Sequence, residues 1–442
     1  MKQITIMQDK SKSNRIEFGI SMLESALRIS GYDAELSILP DSIEDYRTIP
    51  GPKIFVGSHS TSPFLSWAEE ENLLVYHDLK PTKEGFYIQS LPGRLTVISG
   101  GCDTGALYGC QELAHRITIE GELPREIAFG DAPVYKLRGP AIGLQKTHIE
   151  PPRLTYEYPI TPSRFPWFYD RAYWIEYLDL LTEWRCNVLN IWSGHPFSSL
   201  VRLADYPEAL EVTEEEFALN RAMLNWLTEE SDRRGIWIVF LFYNNHIPLP
   251  FTEKHGLPLL QNSINPLVAR YTYESIAEFV KTFPNVGLMV CLGEALRGIQ
   301  NKTAWFIDTI IPAVKEGMRR GGLTEEPPLI LRGHDCDPID AIGKAAGLYN
   351  NLYTMWKYNG EGLTTYFPIG NWQERYRQLS SLKSTHIINV HILANLESFR
   401  FNAPAFIQKC AQAGQYRLGA NGLYLYSFTG TGRFRPTGPS RD

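Results

Sequence analysis

The stretch Val286-Gly-Leu-Met-Val-Cys-Leu-Gly-Glu-Ala-Leu-Arg297 decides the fold. Its apolar run, bounded by Pro284-Asn285 and Gly293, has the length of a fully buried strand rather than a helix. The run ends in Gly293-Glu294, which places Glu294 at the strand's C-terminal tip. In a parallel barrel the catalytic side chains gather at those tips, where the loops converge over a packed core.

Working outward, the same short strands recur at Leu137 to Leu144, Asn187 to Trp192, Ile236 to Phe242, Gly287 to Leu292, Leu329 to Arg332, Leu352 to Trp356, His386 to Leu393 and Gly422 to Phe428. Between them run amphipathic stretches at Tyr173 to Trp184, Thr213 to Arg234, Tyr273 to Thr282, Thr303 to Arg320, Pro338 to Gly347, Trp372 to Leu382 and Pro404 to Gln415. Thr213 and Glu216 have the spacing of a capping box at the start of the second, and Gly235 closes it. Eight strands alternating with seven helices predict an α/β protein with a (β/α)8 TIM barrel over residues 136–430. No helical period follows Phe428, so an irregular tail is expected at 431–442 and the eighth helix is expected to be missing, through truncation of a longer parent or replacement by another segment.

Residues 1–135 read as a separate small α/β sandwich domain. Strands are expected at Gln3 to Gln8, Ala34 to Leu39 and Lys53 to Gly57, with a hairpin pair Gly85 to Gln89 and Arg94 to Gly100 around Leu91-Pro92-Gly93. Ile16 to Ile29 and Pro63 to Glu71 have helical spacing. The glycine-rich turn Gly100-Gly-Cys-Asp-Thr-Gly-Ala-Leu-Tyr-Gly109 leads into a further helix, with Asp103 or Thr104 as its expected cap. Its spacing fits neither GxGxxG nor GxxxxGK[ST], which argues against a nucleotide site.

Bulk properties narrow the function. With 43% hydrophobic and 21% charged residues the chain has a globular composition, and a net charge of -6 without a long basic run excludes a nucleic-acid footprint. No apolar run is long enough to span a membrane. Met1 leads straight into strand-like Ile4-Thr-Ile-Met7, so the protein is expected in the cytoplasm unless a leader has been removed, and in the periplasm or outside the cell if one has. Six scattered cysteines without CxxC spacing point to free thiols rather than a disulfide framework or zinc site. Ten tryptophans leave carbohydrate as a fitting partner, although most aromatics belong to the core.

The expected site lies at the strand tips. They present Lys146 and His148; Ser193, Gly194 and His195; Tyr243, Asn244, Asn245 and His246; Glu294 and Arg297; Arg332, His334, Asp335 and Asp337; Trp356, Lys357 and Tyr358; Asn395, Glu397 and Arg400; and Tyr426 and Ser427. Cations, amides and aromatics together suit a polyhydroxylated substrate carrying a carboxylate. Bland readings stand beside these. A lone loop histidine is usually a satisfied polar residue, Arg332 and Arg400 have Asp335 and Glu397 as structural partners, and Trp356 reads equally as a barrel plug. No set of ligands has metal-site spacing, and no cofactor is implied. Glycoside cleavage needs a carboxylic acid to protonate the leaving oxygen and a carboxylate on the opposite face. Glu294 as acid and Glu397 as base or nucleophile are the candidates, with Asp335 and Asp337 as competitors for the second role.

The string Arg94 to Leu113 resembles the end of the accessory N-terminal domain that precedes the catalytic barrel in β-N-acetylhexosaminidases and α-glucuronidases. The resemblance implies a structural first domain and an acid Glu after the fourth barrel strand, which Glu294 matches, with Glu397 as the carry-over for the water-activating carboxylate. The hexosaminidase pattern calls for an adjacent Asp-Glu pair where this chain has Gly293-Glu294, so the α-glucuronidase branch fits better. The expected activity is hydrolysis of a uronic-acid-containing polysaccharide or oligosaccharide. The alternatives are a polysaccharide lyase, with Tyr243, His246 or Tyr358 as base and Arg332 neutralising the uronate, and a carbohydrate-binding protein without catalysis.

Overall fold

The computed structural model describes residues 2–10, 13–39, 43–77, 80–144, 149–154, 158–243, 246–283, 285–293, 295–360, 365–391 and 404–426. The chain forms two compact units, one built from residues 1–134 with the short segments 182–185 and 232–235, the other from the remainder.

The first unit is a six-stranded sheet of β1 (Lys2–Gln8), β2 (Tyr32–Ile38), β3 (Lys53–Ser58), β4 (Phe86–Leu91), β5 (Leu95–Gly100) and β6 (Ala128–Asp131), in the order β2-β1-β3-β5-β4-β6. The first four in that order are parallel, while β4 runs antiparallel to both β5 and β6. Alternation along β3 explains the layering. Ile54 and Val56 join the core under helices Asn14–Ile29 and Asp103–Glu120, and Phe55 joins the opposite core with Phe64 and Leu65 of helix Pro63–Glu70. Ser13 and Ser62 cap two of these helices through their hydroxyls. The third departs from expectation: Cys102 occupies the cap position, and the Asp103 carboxylate instead accepts a 2.5 Å hydrogen bond from Ser58. Strand β6 has no buried residue, so it carried no hydrophobic signal.

The second unit is a closed barrel of eight parallel strands: β7 (Leu137–Gly143), β8 (Val188–Trp192), β9 (Trp237–Tyr243), β10 (Val286–Cys291), β11 (Leu329–Arg332), β12 (Leu352–Lys357), β13 (Thr385–His391) and β14 (Gly422–Tyr426). All eight coincide with predicted strands to within a few residues, and β14 pairs with β7 to close the ring. Every residue of β8, β10 and β11 is buried, so both faces are covered and these strands read as continuous apolar runs, whereas alternate residues of β7 and β14 are only partly buried. On β9, Val239, Leu241 and Tyr243 face the lumen with Met289 and Cys291 of β10, while Ile238, Phe240 and Phe242 pack against the surrounding helices. Each such buried side chain contributes roughly 1.5–3 kcal/mol.

The helices also fall where expected, with two adjustments. Helix Pro266–Thr282 begins well before Tyr273, because Asn265 accepts from the amides of Leu267 and Val268 and Pro266 takes the first helical position. The stretch after β10 is a helix at Ile299–Ala304, a π-helical turn at Trp305–Ile310 and a helix at Ile311–Gly321. The capping box is present: the Thr213 amide donates to Glu216 and the Glu216 amide to Thr213, at 3.0 and 3.2 Å. The expected tail and the question of an eighth helix lie outside the described residues. Among the described residues no helix is long and apolar enough to cross a membrane.

Candidate active site

Strand parity decides which rim residues face the barrel axis. Arg332 ends β11 and is buried at the mouth of the lumen. Its Nη1 donates to the Tyr243 hydroxyl at 3.2 Å and approaches Cys291 Sγ at 3.6 Å, and its guanidinium lies 5.0 Å from the Trp192 ring. Trp192 in turn touches Tyr243 and Tyr426, at centroid distances of 5.9 and 5.4 Å. Tyr426 stacks on Tyr424. Every one of these residues ends its strand or sits two residues before its end, so alternation alone brings them into one aromatic cup around a buried cation.

That cup is polar in a specific way. No carboxylate pairs with Arg332 among the described residues, and its Nε has no hydrogen-bond partner there. Nor do Trp192 Nε1, Tyr424 Oη, Asn190 Oδ1 and Asn389 Oδ1, all buried on lumen-facing positions. A buried charge without an anion is costly, as is a buried polar atom without a partner. The arrangement therefore suits a ligand that brings a carboxylate to Arg332 and hydroxyls to the others.

Two glycines shape the rim. A Cβ on Gly293 would lie 2.7 Å from Asp335 Cβ and 2.8 Å from the His334 carbonyl, so only glycine lets the exits of β10 and β11 come together. A Cβ on Gly333 would lie 2.2 Å from Trp356 Cε3, so the residue after Arg332 makes room for that indole.

Several expected site residues have other work. Trp356 is not a barrel plug: β12 turns Tyr353 and Met355 inward, and Trp356 packs with the outer cluster, its ring 5.5 Å from the Arg375 guanidinium. The same parity puts Lys357 on the lumen side. Tyr358 is fully buried in that outer cluster and donates its hydroxyl to the Tyr366 carbonyl at 2.6 Å, which removes it as a lyase base. Asp335 pairs with Lys302 at 2.8 Å rather than with Arg332. Asp337 caps helix Pro338–Ala345 by accepting from the amides of Ile339 and Asp340. Both competitors of Glu397 are thus committed elsewhere. Arg297 is exposed, with its amide held by the Asn262 carbonyl, and His334 is half-buried.

The two histidines sit beside the cup. His246 stacks on Tyr243 at 4.8 Å, continuing the aromatic wall. His195 shares a 2.9 Å hydrogen bond with Tyr271 of the outer helix; burial, then the charges of His246 and Arg153, push its pKa down to about 3. It is a neutral group at any ordinary pH. A hollow of about 30 Å³ between Arg153, His195, Glu211 and His246 has room for a small substituent, not a sugar ring. Glu294, Glu397, Asn244, Asn245, Asn395 and Arg400 lie outside the described residues. Among the described residues no group of three acidic, histidine or cysteine side chains is placed to hold a metal. Reading the tips missed Trp192, Tyr424, Asn190 and Asn389, which period-two counting back along β8, β13 and β14 would have found.

Neither a protein-family model nor a curated protein matches this chain. Solved structures do. A GH138 enzyme targeting pectin rhamnogalacturonan II is 41% identical, with a TM-score of 0.84 over 96% of this chain. A GH115 4-O-methyl-α-glucuronidase with specificity for decorated arabinogalactans superposes over 98% of the chain at 15% identity and a TM-score of 0.58. The GH20 β-N-acetylhexosaminidase of Streptomyces coelicolor A3(2) does so over 96% at 11% identity, also with a TM-score of 0.58, and covers 82% of its own length. The last two show the fold alone. These three are glycoside hydrolases, in line with the resemblance read from residues 94–113. The chain spans 58% of the GH138 enzyme's length and 55% of the GH115 enzyme's.

Proposed function

We propose that this chain is the accessory domain and catalytic barrel of a glycoside hydrolase acting on uronic-acid-containing polysaccharide of the pectin type. The observation that carries the reading is Arg332, a buried guanidinium without a carboxylate partner among the described residues, set in a cup of Trp192, Tyr243 and Tyr426. A uronate carboxylate supplies the missing anion, and the aromatic faces take the apolar side of the ring. The 41% identity to an enzyme described as targeting rhamnogalacturonan II, a pectin, supports the same substrate class.

The chemistry follows from two carboxyl groups. Glu294, after β10, gives its proton to the glycosidic oxygen as the bond to the anomeric carbon breaks. Glu397, after β13, either attacks that carbon or takes a proton from the water that does. Asp335 and Asp337, held by Lys302 and by a helix N-terminus, are left out of both roles. The separation of the two carboxyls decides between retention, at about 5–5.5 Å, and inversion, at about 6.5–9.5 Å.

The test is hydrolysis of uronate-bearing pectin oligosaccharides by the parent chain, Glu294→Gln and Glu397→Gln, with products followed by mass and ultraviolet absorbance. Products heavier by one water, formed by the parent and lost in both variants, are expected. Products with the absorbance of an unsaturated uronate would move the assignment to a lyase using Tyr243 or His246, and full activity of Glu294→Gln would refute the acid role.

A further inference from the structure

We propose that the first unit carries a second, non-catalytic site that binds a uronate-bearing oligosaccharide, in the cleft at the N-terminal edge of its parallel strands. The choice of ligand rests on the substrate class proposed above. The cleft has a volume of about 490 Å³, within the range of small-ligand sites. Its floor is the starts of β1, β2 and β5, and its wall is the segment 122–125 that follows helix Asp103–Glu120.

Three cations, Lys2, Arg94 and Arg125, line it against one acid, Glu122, on a chain whose net charge is -6. Lys2 stands 4.0 Å from Glu122, whereas neither arginine has an ion pair or side-chain hydrogen bond among the described residues. Behind the floor lies Lys53, 3% exposed, whose ammonium donates to the carbonyls of Ile49 and Gly51 at 2.7 and 3.0 Å with no acid beside it. Burial, and then the charge of Arg94, hold its pKa below the usual lysine range. Glu122 therefore offsets only part of the cleft's positive field, that of Lys2, and leaves the two guanidinium groups unopposed by any lining acid.

Arg94 itself adopts a left-handed backbone, φ 59°, in the hairpin turn between β4 and β5, directly after Gly93 at φ 82°. Glycine or asparagine would hold that turn with less strain. Two guanidinium forks and an ammonium around an elongated cleft suit carboxylates spaced along a sugar chain. The absence of a longer basic stripe disfavours nucleic acid.

The experiment is affinity electrophoresis in gels containing polygalacturonate, dextran or dextran sulfate, run on the full chain carrying Glu294→Gln to prevent digestion. Arg94→Ser/Arg125→Ser is expected to lose at least threefold in affinity for polygalacturonate, Arg94→Lys/Arg125→Lys to recover part of it, and Arg332→Met to remain retarded. Retardation of the folded double serine variant equal to that of its parent overturns the proposal. So does retardation by dextran sulfate as strong as by polygalacturonate, which would mark a nonspecific cationic patch. Because binding is read without turnover, failure of the parent to hydrolyse uronate substrates would count against the enzymatic reading and leave this result standing by itself.

Discussion

Arg332 was legible as a strand-end cation, and its neighbours Tyr243 and Tyr426 as strand-end residues, but Trp192 was not, because nearness to a strand tip does not tell which way a side chain points. Parity along β12 moves Trp356 and Tyr358 to the helix side and leaves Lys357 at the lumen. The same count along β8 brings in Trp192, which looked like an ordinary core residue. Asp337 carried its own signal, an acid directly before Pro338, the signature of a helix start rather than a catalyst. At this scale, Tyr243→Phe removes the acceptor of an Arg332 hydrogen bond at 3.2 Å. A charged hydrogen bond of this kind contributes about 1.5–3 kcal/mol. We expect Tm to fall by a few degrees and KM for uronate substrates to rise several-fold; an unchanged KM would show that the placement of Arg332 does not depend on Tyr243.

The elements were the most legible level, because buried parallel strands announce themselves as short apolar runs and their helices by period and caps. What escaped was whatever buries little, such as β6, and whatever depends on contacts between distant segments, such as the close approach at Gly293 and Gly333. Gly333→Ala puts a methyl 2.2 Å from the Trp356 ring, and overpacking of this sort costs typically 1–3 kcal/mol. Denaturation midpoints should show that loss, with partial recovery in Gly333→Ala/Trp356→Leu; additive effects of the two changes would deny the contact. Gly293→Ala meets a backbone carbonyl that has no freedom to yield, so it should shift the residue that follows, Glu294. With Glu294 as the proposed acid, a displacement of about 1 Å there costs on the order of 100-fold, so kcat should fall far more than Tm; equal losses in both would count against that role.

The barrel wall also carries a pH response. His386 on β13 is completely buried, shares a 2.9 Å hydrogen bond with Thr354, and is pushed by burial to a pKa of about 3 from an ordinary 6.5. Between those values the unfolded chain binds a proton that the folded chain refuses, so stability is full above pH 6.5 and falls as the pH drops toward 3. Each such histidine contributes a slope of up to about 1.4 kcal/mol per pH unit. Chemical denaturation between pH 5 and 6.5, above most carboxylate titrations, should show a shallower slope for His386→Asn than for the parent. Equal slopes would mean that the ring is protonated in the folded state.

For the whole molecule, the barrel was readable from the alternation of elements and the resemblance to glycoside hydrolases from residues 94–113, while the substrate's charge becomes arguable only when Arg332 is seen buried without an acid among the described residues. The two proposed anion sites differ in exposure, and salt should separate them. Contacts in the open cleft at Arg94 and Arg125 are screened at a Debye length of about 8 Å in 0.15 M salt, whereas a buried contact to Arg332 is screened much less. Binding of long uronate chains should therefore weaken with added salt while KM for a short uronate substrate changes little; parallel salt dependence would contradict that division. The most direct test of the central claim compares kcat/KM for a uronate oligosaccharide and its carboxyl-reduced, neutral counterpart, in the parent and in Arg332→Met. Losing one partner of a buried charge pair costs about 2–5 kcal/mol, so the parent should prefer the uronate by about 30-fold or more and the variant should lose that preference. Equal rates on both substrates in the parent, or an undiminished preference in Arg332→Met, would contradict the assignment of this barrel to a uronate-bearing substrate.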